Sequence, residues 1–400
     1  MGRHERRWNL RGLSVISFAH GVNDFYSGVV PFTIFLVLTR DHVSPAYQGL
    51  LVFVWYVTSS IVQPLFGAYT DRYGRWWVLP SAVALTTAGI CAAGAAPSIV
   101  TLALCIVVGG IGSAVMHPEA GKYSAMLSGT RRAGGISIFQ IGGQVGYSIG
   151  PAMIALLYAR FGPSGSLWLL VPGVPAVLFL FAVMPRIDRS ATSAHASSAA
   201  RRPISAVPVD RIGITLLVAS TAVRHFVSAA FVTYLPNLLV GRGMAIPAAG
   251  QVVSGFLLIS AVGLFAGGSL SDRFGAVRVS IVALVGAVPL LLAFFFAPSV
   301  LALPCLLAAS VLLSVQNAPG VALVQAMLPR NLGMALGLIN GVAFGFGSAA
   351  VAGVGILVAN AGPAFALESV SITPLLAALA YAAVAPRLTP LDSAGQIAPT

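Results

Sequence analysis

Apolar residues dominate this chain in long unbroken runs, as in "LWLLVPGVPAVLFLFAVM" at residues 167–184. Neither strict alternation nor a one-sided stripe appears in such runs, so both faces are apolar and helices surrounded by lipid or by other helices are expected. Charged residues and Pro/Gly-rich breaks divide the chain into about twelve runs long enough to span a bilayer. Their limits are 12–38, 49–69, 76–96, 100–128, 133–158, 166–184, 212–239, 249–270, 277–297, 301–328, 332–359 and 363–385. A transmembrane barrel would instead show short alternating segments with one polar face.

Composition fits the same reading. Of 400 residues 58% are hydrophobic and 8% charged, with a mean hydropathy of +0.92. So few charges do not cover the surface of a water-soluble protein, where about 25% is usual. An all-α membrane protein is therefore expected. The basic head and apolar run at the N-terminus lack a small-residue cleavage site and continue as a full span, so an uncleaved first helix is expected. Cys91, Cys105 and Cys305 all lie in apolar runs, as buried small residues rather than a disulfide framework.

The net charge of +12 would suit nucleic acid if it formed one patch. It does not. Of the 22 basic residues, all but Arg40, Arg160, Arg224 and Arg242 fall on the side that holds the N-terminus. That asymmetry orients the spans with both termini in the cytoplasm of an inner (plasma) membrane and leaves no role for nucleic acid. The Ala/Ser/Arg/Pro-rich stretch 185–211 reads as a mobile cytoplasmic linker between a bundle at 1–184 and another at 212–400.

The two halves repeat each other. "GAYTDRYGR" follows span two and "GSLSDRFGA" follows span eight. Gly67, Asp71, Arg72 and Gly74 match Gly268, Asp272, Arg273 and Gly275 at an offset of 201, as Pro118 matches Pro319. His20 and Pro31 match His225 and Pro236 at 205, and Gly142 and Gly146 match Gly341 and Gly345 at 199. A duplicated six-helix unit is the internal symmetry of a secondary transporter.

With these residues in view, the chain resembles the major facilitator superfamily, whose signature is the G-x-x-x-D-R-x-G-R loop between spans two and three. "GGQVGYSIGP", Gly142 to Pro151, is similar to the antiporter motif of its drug/proton exporters. "HGVNDFY" in span one, and "HPEA" followed by "SIFQIGG", resemble the fosmidomycin-resistance group. Where such exporters carry an arginine in span four, this chain has Ile106. The resemblance implies twelve helices in two pseudo-symmetric bundles, and a loop of Gly67, Asp71, Arg72 and Arg75 that latches the inward side closed. Gly268, Asp272 and Arg273 form its partial copy, with Ala276 in place of Arg75. Asp71 suits a helix N-terminus and the arginines suit anionic lipid. Gly142, Gly146 and Gly150, and likewise Gly333, Gly337, Gly341 and Gly345, make smooth helix-packing stripes. Pro151 is expected to bend span five.

At 1.5 Å per residue, Asp24 and His117 lie roughly 17–18 Å from the cytoplasmic end of their spans, as do Gln316 and Asn317. Glu119 falls at roughly 14 Å, and Arg224 and His225 at roughly 18–20 Å. His20 shares a face with Asp24 at i,i+4. Spans one, four, seven and ten thus carry strongly polar groups near mid-bilayer, where such groups mark function. Asp24, Glu119, His117 and His20 are the candidate proton carriers. Arg224 suits an anionic substrate group such as a phosphonate or carboxylate. His225, Asn23, Tyr26, Gln63, Gln140, Gln144, Gln316, Asn317 and Asn340 complete the candidate substrate-binding set. In the empty protein Arg224 is expected to pair with Asp24 or Glu119.

The expectation is a monomeric inner-membrane transporter, not an enzyme, without cofactor or metal. It would export a small polar or anionic compound against protons by alternating access. Proton-linked uptake of an organic anion is the alternative. A membrane metalloenzyme using His20, Asp24, His117 and Glu119 as ligands is a remote one.

Overall fold

The computed structural model describes residues 9–129, 132–196, 210–328, 335 and 337–393. Among these every regular element is helical. Helix α1 spans Leu10–Arg40, α2 Ala46–Tyr56, α3 Gln63–Tyr73, α4 Val78–Ala93, α5 Ile99–Leu127, α6 Arg132–Phe161 and α7 Leu170–Ala196. Then follow α8 Arg211–Gly241, α9 Ile246–Phe274, α10 Ala276–Phe296, α11 Ser299–Val315, α12 Asn317–Met327, α13 Phe344–Ser371 and α14 Pro374–Ser393.

Local chemistry sets several ends. Asn9 caps α1 by accepting from the Gly12 amide, Ser98 caps α5 through the Thr101 amide, and Asp210 caps α8 through those of Ile212 and Gly213. Gly275 separates α9 from α10 at φ 85°, a backbone state that side chains rarely adopt.

Nine helical stretches among the described residues are long and apolar enough to cross a membrane. Two of them, Gly134–Ala191 with 58 residues and Gly337–Leu388 with 52, exceed what one crossing needs, and Val78–Ala93 is a shorter apolar helix. Span two is not one continuous α-helix: a π-helical turn at Val57–Ile61 separates α2 from α3. Span ten breaks at Gln316, between α11 and α12, and a second π-helical turn at Gly337–Ala343 precedes α13. Helix α7 continues to Ala196, so the first part of the stretch read as a mobile linker is helical. Residues 197–209 and Gly333 lie outside the described residues.

The chain resolves into two compact units. Met1–Asp41, Val54–Arg202 and Ile246–Ser254 make the first; His42–Phe53, Pro203–Ala245 and Gly255–Thr400 make the second. The first has a core around Leu13, Ile16, Leu79, Val83, Met116 and Tyr123. In the second, Leu217, Leu284, Leu323, Tyr381 and Val384 play that part.

The first unit has a glycine seam. Helices α1 and α6 approach so closely that a Cβ at Gly142 would overlap the Ser17 carbonyl, and one at Gly146 the Gly21 carbonyl. Gly150 faces the α1 backbone near Gly28 in the same way. Such contact gives dense dispersion packing where no hydrophobic drive between helices exists. In the stripe of span eleven, a Cβ at Gly337 would meet nothing within 4 Å among the described residues. Close approaches in the second unit include Gly347, against the Ala222 carbonyl of α8, and Gly263 and Gly267 of α9, against the Val311 and Val315 carbonyls of α11.

Candidate functional site

The first unit gathers two imidazoles on one carboxylate. On α1, His20 and Asp24 are one turn apart, and Nε2 of His20 lies 3.0 Å from Oδ2 of Asp24. From α5, Nε2 of His117 lies 3.3 Å from Oδ1 of the same side chain. The two imidazole rings meet edge to face at 5.2 Å.

Both imidazoles are held from behind. Nδ1 of His20 lies 2.8 Å from the Phe139 carbonyl oxygen, and the ring stacks on the Phe139 ring at 3.9 Å. Nδ1 of His117 lies 2.8 Å from the Ser113 carbonyl. A carbonyl only accepts, so each Nδ1 carries the hydrogen and a neutral ring turns a lone pair at Nε2 toward Asp24. A carboxylate also only accepts. Each of the two Nε2–oxygen contacts therefore needs a hydrogen or another positive centre between its atoms. This arrangement suits proton handling.

Asn23 fixes the carboxylate. Its amide donates to Asp24 Oδ1 at 3.0 Å and to the Ser113 hydroxyl at 3.1 Å, while its carbonyl oxygen accepts from Thr86 at 3.0 Å. Asn23 is fully buried, and so is Tyr26, whose hydroxyl donates to the Leu169 carbonyl. Both belong to the candidate substrate-binding set, and both are buried and hydrogen-bonded within the first unit.

Glu119 stands apart from this cluster. Its buried carboxylate is held by Lys122 at 2.6 Å. The same ammonium donates to the Thr70 carbonyl of α3 at 3.4 Å. Pro118 has no amide to offer the Ala114 carbonyl four residues back. It also packs on the signature loop's helix, where a Cβ at Gly67 would sit 3.3 Å from its side chain. The second unit repeats this neighbourhood more loosely, with Gly268 facing Ala318. Arg72 and Arg75 are exposed, as are Asp272 and Arg273. Arg72 lies over the Tyr73 ring and Arg273 over the Phe274 ring. The side chains of Asp71 and Asn340 lie outside the described residues.

In the second unit Arg224 of α8 is buried at 4% exposure, with its guanidinium 5.8 Å from the Phe344 ring centroid. Its Nε makes no hydrogen bond among the described residues, and no described carboxylate of its own unit lies within ion-pair distance of it. Within the first unit, the imidazoles and Lys122 hold the carboxylates of Asp24 and Glu119. His225 stacks on Phe344 at 4.1 Å and meets the Ser348 hydroxyl at 3.1 Å. This is the His20–Phe139 stack again, at an offset of 205 for both members. The carboxylate is not repeated: Ala229 stands at the Asp24 position.

Gln316, fully buried at the α11–α12 break, donates to Tyr381 at 3.0 Å and to Thr221 at 3.3 Å. Asn317 follows it at the start of α12, half-buried. Gln63 donates to the Ser59 carbonyl beside the π-turn. Gln140 is exposed and Gln144 half-buried on α6. Tyr381 was not anticipated; a single tyrosine in an Ala-rich last span gives no periodic signal. The role of Lys122 was legible in principle, since i,i+3 is a helical neighbour distance.

A family profile described as Major Facilitator Superfamily matches residues 16–352. The chain is 29% identical over 382 residues to a protein called uncharacterized MFS-type transporter YfnC of Bacillus subtilis (strain 168), covering 92% of this chain and 91% of that one. To the fosmidomycin resistance protein of Escherichia coli (strain K12) it is 26% identical over 373 residues, with the same coverage. Among solved structures, a bacterial homologue of the human lysosomal transporter Spinster aligns with a TM-score of 0.67 at 18% identity, over 95% of this chain and 97% of that one. That last likeness is one of fold.

Proposed function

Because the chain belongs to the major facilitator superfamily, and so is a multi-pass membrane transporter rather than an enzyme, we propose that it exports a small anionic compound, fosmidomycin-like in chemistry, in exchange for protons. The observation that carries the anion is Arg224. A guanidinium keeps its charge at physiological pH. Buried without a described carboxylate partner in its own unit, it is free to take one from a substrate, and a planar fork suits a carboxylate or phosphonate. Asp24 with His20 and His117 carries the protons. Glu119, locked to Lys122, serves the inward latch.

Export is supported by the Gly142–Pro151 motif and by the fosmidomycin resistance relative. The basic residues support an inner-membrane location with both termini cytoplasmic. Twelve spans in two bundles require the two long stretches to cross twice each and Val78–Ala93 to cross as well. Alternating access by a monomer without cofactor completes the reading.

The test is growth of a bacterial strain stripped of its own exporters, with and without this chain, on compounds that include fosmidomycin. Resistance is expected to rise, and to vanish with Asp24→Asn or Arg224→Gln while membrane insertion persists. Greater sensitivity instead of resistance would indicate uptake. Undiminished affinity of Arg224→Gln for an anionic substrate would remove the anion assignment.

A further inference from the structure

We propose that His20, Asp24 and His117 form a binding site for one divalent d-block cation of the zinc, cobalt or nickel class. Their three ligand atoms all lie within 4.8 Å of one another. The two nitrogen–oxygen separations are 3.0 and 3.3 Å. Donors about 2.0–2.1 Å from a tetrahedral ion lie about 3.3–3.4 Å apart, so small ring movements bring all three into range.

A second observation, independent of those separations, is the backing of the rings. Histidines that bind metal donate their other nitrogen to a carbonyl or carboxylate, which fixes the tautomer and aims the free lone pair. Both rings here do so, His20 to Phe139 and His117 to Ser113. Asn23 holds the carboxylate from the other side. The set comprises two imidazoles and one carboxylate, which favours d-block ions over magnesium or calcium. Glu119 is not a fourth ligand, since Lys122 holds it. The fourth position is left to water or a substrate atom, on the side where His117 is 27% exposed. On binding, the ion takes the place of the hydrogens between the acceptor pairs, and these leave to solvent.

The inference shares side chains with the proposed proton site but does not depend on transport. A full-length chain without a polyhistidine tag, purified in detergent and stripped with EDTA, is titrated with Co²⁺ and followed by its visible d–d absorption. One ion per chain is expected, bound at least tenfold more weakly by Asp24→Asn and by His117→Gln. His42→Asn, at a histidine beyond the end of α1 and outside the three-residue set, should bind as wild type does. X-ray absorption of the Zn²⁺-loaded wild type, which needs no variant to fold, should show two imidazole ligands. Absence of binding, binding insensitive to both replacements, or a shell of oxygen alone would overturn the site. Proton-coupled transport in EDTA is read separately, so loss of the metal site and loss of the proton role are told apart.

Discussion

Lys122 Nζ lies 2.6 Å from Glu119 Oε2, one turn away on α5, and reaches across to the Thr70 carbonyl on α3. A buried carboxylate is thereby tied to the helix that carries the family's signature loop. Lysine suits the last turn of α3, where the helix dipole favours a cation. Together with the Gly67–Pro118 contact, it joins the loop to α5 where Pro118 removes one helical hydrogen bond from an otherwise continuous helix.

Lys122→Gln should therefore be strongly destabilising. Removing one partner of a buried pair costs about 3–5 kcal/mol, because the other charge remains in a low-dielectric site. Adding Glu119→Gln to the same chain should recover most of the loss. Thermal unfolding in detergent, followed by tryptophan fluorescence, checks both; a double variant no more stable than the single would mean that the pair is not the source.

Asn23→Leu tests the support of Asp24. The substitution removes three hydrogen bonds and leaves the Thr86 and Ser113 hydroxyls without that partner. At about 1 kcal/mol each, it should also free the carboxylate from its aim at the two imidazoles. Transport into proteoliposomes should fall more than tenfold, and clearly further than for Ser113→Ala, which removes fewer contacts. Equal rates for the two variants would deny Asn23 a positioning role.

The glycine seam makes a contrast of its own. Gly142→Ala and Gly146→Ala push a methyl into the α1 backbone and should cost about 1–3 kcal/mol each, as overpacking does. Gly337→Ala meets open space and should be tolerated or slightly stabilising. Melting temperatures of the three variants decide; a loss at Gly337 as large as at Gly142 would contradict the packing seen.

Gly275→Ala should destabilise the turn between α9 and α10 by about 1–3 kcal/mol, since φ 85° with ψ 137° is nearly closed to other residues. Gly275→Asn should be little better, because asparagine tolerates the left-handed helical region and not this extended one. Limited proteolysis at the loop gives the readout, with faster cleavage expected in both variants.

The sequence by itself determined the helical membrane class, the duplicated halves, the family and the residues from which any site would be drawn. Its signals were strong because hydrocarbon imposes one rule on every position: a polar side chain at mid-span, such as Asp24, Glu119 or Arg224, is costly and therefore conspicuous. Depth along a helix is also linear in residue number, so Asp24 and His117 fall at one level by residue count alone, with His20 one turn from Asp24. What depth does not contain is azimuth. Which side chains face Asp24 depends on helix rotation and packing, which the Gly142–Gly146 seam sets by drawing α6 onto α1 and placing Phe139 behind His20. Only the tertiary structure could therefore pair Asp24 with two histidines and leave Arg224 without a described carboxylate partner in its own unit. The same holds for the inward turn of Asn23 and Tyr26, and for Tyr381 beneath Gln316. Hydrogen bonds reach only about 3 Å, so partner choice rests on differences of position far smaller than one helical turn of sequence can specify.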